Sequence, residues 1–222
     1  MDRSIKYSAP LIAVLCTLLF QLGGCVSKKE AKPLLSGSDS IAVIRSILAH
    51  RAEMEEFFRS SPYSPFAGDP AVRFEGIKWF PPNLEYYLRS TLMRYPRAET
   101  VSVFGTKGEE RREMKYGYFE FFLRGKTFRL NTYRSIGGGS SSEDKLLSVW
   151  FTDATTNRET YGVGRYLEVG EEHAGTDSIY TIDFNNAYNP YCAYSARYSC
   201  AIPRREDHLD ISILAGELKY HP

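Results

Sequence analysis

Residues Arg112–Tyr133 read REMKYGYFEFFLRGKTFRLNTY, two aromatic-rich runs on either side of Arg124-Gly125-Lys126. Side chains of a strand point alternately to opposite faces, and aromatic and β-branched residues suit such a pleated surface. Arg-Gly-Lys has the chemistry of a tight hairpin turn, so the stretch predicts two antiparallel strands. The same signature recurs in ETVSVFG (Glu99–Gly105), LLSVWFTD (Leu146–Asp153), YGVGRYLEV (Tyr161–Val169), SIYTIDF (Ser178–Phe184) and DISILAGELKY (Asp210–Tyr220), each bounded by turn formers. DATTNRE, Asp153–Glu159, reads as another tight connection, and IGGGSSSEDK, Ile136–Lys145, as a flexible loop between strands. Roughly six to nine strands with no helical segment between them predict a mainly β domain, an antiparallel sandwich or barrel-like fold rather than a parallel α/β sheet.

One helix precedes the strands. From Ser40 to about Arg59, the residues Ile44, Ile47, Leu48, Met54, Phe57 and Phe58 fall near helical spacing, with Glu53, Glu55 and Glu56 on other faces. Asp39 or Ser40 can cap its start, because a short side-chain oxygen accepts a free first-turn amide. Ser61 to Asn83 is punctuated by Pro and Gly and has no period.

Residues 1–24 read as a leader peptide that ends before Cys25. Arg3 and Lys6 precede an apolar run from about Leu11 to Leu22, which ends in Leu22-Gly23-Gly24-Cys25. The run is shorter than the ~18 or more residues of a membrane span, and small residues before a cysteine suit a cleaving peptidase. The ending resembles the lipobox of bacterial lipoproteins, which implies cleavage after residue 24 and lipidation of Cys25. The chain is then anchored to a membrane of the bacterial cell envelope through Cys25. Val26, where an Asp would retain an enterobacterial lipoprotein in the inner membrane, favours the outer membrane, with the domain facing the periplasm or the surface. Val26–Asp39, polar and without period, reads as the tether.

Removing residues 1–24 leaves 26 basic and 26 acidic residues. A neutral chain lacks the basic excess of a nucleic-acid binder. About 200 mature residues suit one globular domain, 40–222, long enough to bury a sizeable core. Sixteen Tyr and thirteen Phe give it a high aromatic load.

Nucleotide and metal motifs fail. RGKT at Arg124–Thr127 lacks the first glycine of a phosphate loop, because Glu occupies position 120. GVGR at Gly162–Arg165 is half a dinucleotide fingerprint with no helix after it, and GGGSSS has no serine-hydrolase context. His50, His173, His208 and His221 show no ligand spacing among themselves, so no metal and no cofactor is predicted.

The most distinctive stretch is DFNNAYNPYCAYSARYSCAIP, Asp183–Pro203. Asp183 ends a strand and the Asn-rich run follows it off the sheet, bringing polar side chains toward one rim. Asn185, Asn186 and Asn189 offer donors and acceptors, and Tyr188, Tyr191 and Tyr194 can stack and hydrogen-bond. In an exported chain Cys192 and Cys200 can oxidise, and the chain-entropy model values their nine-residue loop at about 2.6 kcal/mol. Two alternatives stand beside a binding site: an irregular loop using Asn, Tyr and Pro to satisfy its own backbone, and a metal held by two thiolates with His208 or His173.

HRAEMEEFF (His50–Phe58), FTDATTNRETYGVGRYLEV (Phe151–Val169), DFNNAYNPYCAYSARYSCAIP and ILAGELKY (Ile213–Tyr220) together resemble the bacterial domain-of-unknown-function family 1684, over about residues 45–220. The resemblance brings no activity with it. It implies shared positions at Asp153, Glu159, Tyr161, Gly164, Arg165, Asp183, Phe184, Asn185, Tyr188, Asn189, Pro190, Cys192, Cys200, Glu206 and Glu217. The chain departs from the pattern in AIPRREDHL, at Ala201, Arg204, Arg205 and Asp207. Similar cysteines in members without export signals imply paired thiols or a metal as alternatives to a disulfide.

Two functions follow as expectations. One is a membrane-anchored ligand-binding or accessory module, with a polar pocket of Arg165, Asp183, Asn185, Tyr188 and Asn189 and with Glu206 and Glu217 near, taking a small polar or sugar-like ligand. The other is an envelope hydrolase using Asp183 with Glu217 or Glu206 as paired carboxylates. A purely structural envelope protein is the third reading. The two can be separated by turnover on ester, phosphate and glycoside substrates.

Overall fold

A computed structural model describes residues 37–68, 72–136, 146–172 and 179–221. The leader, Cys25, most of the tether, nearly all of the Ile136–Lys145 loop and His173 lie outside the described residues. Helix α1 spans Gly37–Ser60, so it begins within the expected tether, and it buries Ile47, Arg51 and Phe58.

Among the described residues seven strands follow: β1 (Tyr87–Phe104), β2 (Glu110–Leu123), β3 (Lys126–Ser135), β4 (Leu146–Asp153), β5 (Arg165–Glu171), β6 (Ile179–Asp183) and the two-residue β7 (His208–Leu209). They form one sheet in the order β5-β4-β3-β2-β1-β6, antiparallel throughout, except that β7 lies parallel to β4 at the side. The hairpin read from Arg112–Tyr133 is present. Leu123 pairs with Lys126, and Arg124 and Gly125 both take positive φ (48° and 82°), the twist that joins two right-handed strands through a two-residue turn.

Strand β1 serves two neighbours. Its first half, Tyr87–Thr91, pairs with β6, and its second half pairs with β2. The β1–β2 register slips between Arg94 and Glu99, across Pro96, which has no N–H to give to the ladder. Beyond β6 the chain turns back, and Tyr188 and Tyr166 of β5 exchange both backbone hydrogen bonds at 2.9 Å. The two ends of the sheet thereby approach each other, and the barrel is nearly closed.

Asp210–Tyr220, expected as a strand, is irregular and makes only the isolated pairing of Glu217 with Trp79. Gly216 is the reason. It takes φ +81°, and a Cβ there would stand 2.5 Å from the Ala187 carbonyl oxygen, so the chain bends under the 184–187 turn instead of extending.

Among the described residues three apolar clusters result. The largest fills the barrel with Phe119, Leu130, Val149, Phe151, Ile182 and Phe184. A second, around Phe58 of α1, gathers Ile77, Ala193, Tyr194 and Tyr220. A third, on the outer face of the sheet, gathers Val101, Val103, Tyr133, Trp150 and Ala201.

Candidate functional site

The second and third clusters do not fuse. Along the seam between them runs a cleft of about 740 Å³. Helix α1 supplies His50, Met54 and Phe58 to its wall, and Trp79 comes from the segment after the helix. Arg111 and Glu113 enter from β2, Trp150 from β4, and Tyr166 and Glu168 from β5. The far wall is built from Asn186–Ala201, through Tyr188, Tyr191, Tyr198 and Cys200.

Aromatic packing fixes this wall. Trp150 stacks on Tyr133 at 4.9 Å and 7° between planes, which holds the indole flat against the sheet. Tyr166 is anchored by donating its hydroxyl to the Ala201 carbonyl at 2.6 Å, and Tyr188 by donating to Glu168 at 3.1 Å. Arg111 is already engaged: one of its nitrogens lies 2.6 Å from Glu109 and 2.7 Å from the Ser199 carbonyl. Burial raises the Glu113 carboxyl above its ordinary range, with Arg111 opposing.

Cys192 and Cys200 are free thiols side by side, with the Cys192 amide donating to the Cys200 sulfur at 3.1 Å. The pair is closely apposed but not bonded. The Cys200 thiol, donating to Cys192, pulls the latter's pKa down to about 6 and is itself pushed up. Tyr161 approaches the Cys192 sulfur at 3.7 Å. Among the described residues no three His, Cys, Asp or Glu are grouped so as to hold a metal ion.

Of the residues expected from sequence to form a pocket, only Tyr188 lines this cleft. Arg165 is fully buried; its carboxylate partner is Asp153 at 3.3 Å, and it donates to the carbonyls of Ile213 (3.0 Å) and Ala215. Asp183 caps the following turn, accepting from the Asn185 amide at 3.0 Å and from the side chains of Asn185 and Asn186. Asn185 grips both backbone groups of Asn83, at 2.7 and 3.0 Å. Asn189 donates its amide to Glu217 at 2.8 Å and its side chain to the Leu218 carbonyl. Glu206 is on the surface, paired with Lys115 at 2.7 Å. Asn185 and Asn189 therefore tie the loop to the backbone of Asn83 and Leu218, while Asn186, Tyr188, Tyr191 and Tyr198 line the cleft. Asp183, Glu206 and Glu217 all lie outside the cleft lining, and its own carboxylates are Glu113 and Glu168.

Sequence reasoning missed Trp79, Glu113, Trp150, Tyr166 and Glu168. The one signal was rarity, and it covers only Trp79 and Trp150, the chain's two tryptophans, both of which line the cleft.

Residues 72–218 match the family described as protein of unknown function, DUF1684. The solution NMR structure of an uncharacterized protein from Haloarcula marismortui, gene locus rrnAC0354, is similar at 28% identity and a TM-score of 0.62, over 82% of this chain and 97% of that one. No curated protein matches the chain.

Proposed function

We propose that this chain, which belongs to the DUF1684 family, is a ligand-binding or accessory module of the cell envelope that holds a small organic ligand in the cleft between α1 and the sheet. One observation carries the reading. A 740 Å³ recess lined by both tryptophans, several tyrosines and a few polar groups, and lying between two apolar clusters, has the size and make-up of a small-molecule site. Met54 projects from α1 into the recess, and Met54→Trp adds bulk there without adding charge. Native mass spectrometry of the full chain in detergent, purified from its own host, is expected to show a bound small molecule that Met54→Trp loses. Equal retention of that molecule by the variant, or no mass excess in the parent, refutes the reading.

The anchor and the thiols belong to the same proposal. The leader supports removal of residues 1–24 and lipidation at Cys25, and the domain then lies outside the cytoplasm, anchored to the outer membrane. In that oxidising setting the adjacent Cys192 and Cys200 close to a disulfide, each losing a proton and together two electrons to an envelope disulfide oxidant. Intact mass of the membrane-extracted chain, alkylated before and after reduction, tests both points. The expected result is a diacylated, trimmed chain whose two thiols react only after reduction. An unprocessed N-terminus defeats the anchor, and two thiols alkylated without reductant defeat the disulfide.

A further inference from the structure

We propose that the cleft selects an organic cation, a tertiary or quaternary ammonium group that also carries an oxygen function; this rests on the cleft being a binding site. The first support is the arrangement of rings. Trp150 and Tyr166 have centroids 5.9 Å apart with planes at 43°, and Tyr166 and Tyr188 have centroids 5.9 Å apart with planes at 74°. These rings pack on one another at an angle along one recess, and Tyr191 and Tyr198 add a T-shaped pair at 5.2 Å. Aromatic faces carry negative potential, and a recess lined by several aromatic rings suits a bulky cation better than a single flat ring does.

The second support is the charge left over. The titratable side chains that face the recess, besides its tyrosines and Cys200, are His50, Arg111, Glu113 and Glu168. Arg111 is answered by Glu109, and Glu168 takes the Tyr188 hydroxyl on the exposed side. Glu113 is half-buried and, among the described residues, has no hydrogen bond or ion pair. With Arg111 in its ion pair to Glu109 and felt by Glu113 only at longer range, the recess keeps two carboxylates, Glu113 and Glu168, that no cation among the described residues meets at ion-pair distance. A neutral sugar would cover Glu113 and leave its charge desolvated, whereas a cation neutralises it.

The third support gives the oxygen. The indole N–H of Trp79 and the side-chain oxygen of Asn186 are buried without a protein partner, and both residues line the cleft. A ligand hydroxyl that reached these atoms would answer them, accepting from the indole N–H or donating to the amide oxygen.

The test uses the full chain and its own fluorescence, because both tryptophans face the recess. Choline is titrated against dimethylbutanol, its uncharged carbon isostere, and against methyl glucoside. Choline is expected to saturate the signal and to bind at least about tenfold more tightly than the isostere, as a desolvated cation–aromatic contact implies. Glu113→Gln is expected to weaken choline by about tenfold and leave the isostere unchanged. Equal affinity for choline and the isostere, a preference for the glucoside, or no saturable choline binding overturns the cation assignment. The comparison on the parent chain needs no variant, so it stands even where Glu113→Gln does not fold. Binding of a neutral probe that Met54→Trp abolishes would leave the cleft as the site while removing the cation.

Discussion

Replacing Arg165 with methionine is expected to destabilise the protein by about 3–5 kcal/mol, because it breaks a buried ion pair on one side only. Arg165 and Asp153 have no exposed side-chain surface, and the guanidinium joins three separate parts of the chain. It stands on β5, pairs with Asp153 at the end of β4, and donates to the carbonyls of Ile213 and Ala215 in the irregular C-terminal segment. Asp153 completes the knot by accepting from the Ile213 amide at 2.7 Å and the Thr155 hydroxyl at 2.8 Å. Methionine fills part of the volume but leaves one buried carboxylate and two carbonyls without their donor. Asp153→Leu should cost at least as much, since it leaves a buried guanidinium uncompensated. The double variant should be less destabilised than the sum of the two, because the charge mismatch disappears. Urea unfolding of the four proteins measures this, and a loss below about 1 kcal/mol for Arg165→Met would show that the knot is not structural. Loss of ligand from Arg165→Met without loss of stability would return the residue to a binding role.

Much of this architecture could be read from the residues before any coordinates, and the failures have identifiable causes. The hairpin at Arg124-Gly125 was legible because alternation and turn chemistry agree locally. The strand expected at Asp210–Tyr220 was not, because Gly216 packs against the carbonyls of Phe184 and Ala187, a contact that exists only in the folded chain. Strand β1 was seen only in its second half, since Pro96 divides it and its first half pairs with distant β6. In the Asp183–Pro203 segment, tyrosine and asparagine looked equally suited to a ligand. The fold separates most of them: Asn185 and Asn189 satisfy backbone groups of Asn83 and Leu218, and Tyr188, Tyr191 and Tyr198 line the cleft with Asn186. Trp79, Glu113 and Trp150 were invisible as a site because no local spacing connects residues brought together from a connecting segment, β2 and β4.

Raising the pH from about 4.5 to about 7 is expected to weaken the fold by roughly 3 kcal/mol through Glu217 alone, and Glu217→Gln should remove that part of the slope. Burial holds the Glu217 carboxyl up at about 7, from an ordinary 4.5, against the opposing pull of the Tyr194 hydroxyl, the Asn189 amide, Arg165 and Arg51. The folded protein therefore keeps this proton over a range in which the unfolded chain has lost it. The stabilisation is full below about pH 4.5, declines as pH rises through 7, and changes no further above that. The hydrogen bonds agree with a protonated group. One carboxyl oxygen accepts from both Asn189 and Tyr194, and the other has no partner. The Asn189 side-chain oxygen is likewise buried and unanswered, and a proton on Glu217 gives its own carboxyl a donor. Glutamine keeps the accepting oxygen and carries its donors permanently. Asp183 and Asp207, also raised by burial, add slopes of the same sign, so the measurement is the difference between parent and Glu217→Gln, followed by urea midpoints from pH 4 to pH 9. Parallel curves for the two proteins would mean that Glu217 is ionised throughout. A gap that opens above pH 4.5 and levels off past pH 7 would place its proton in the folded state.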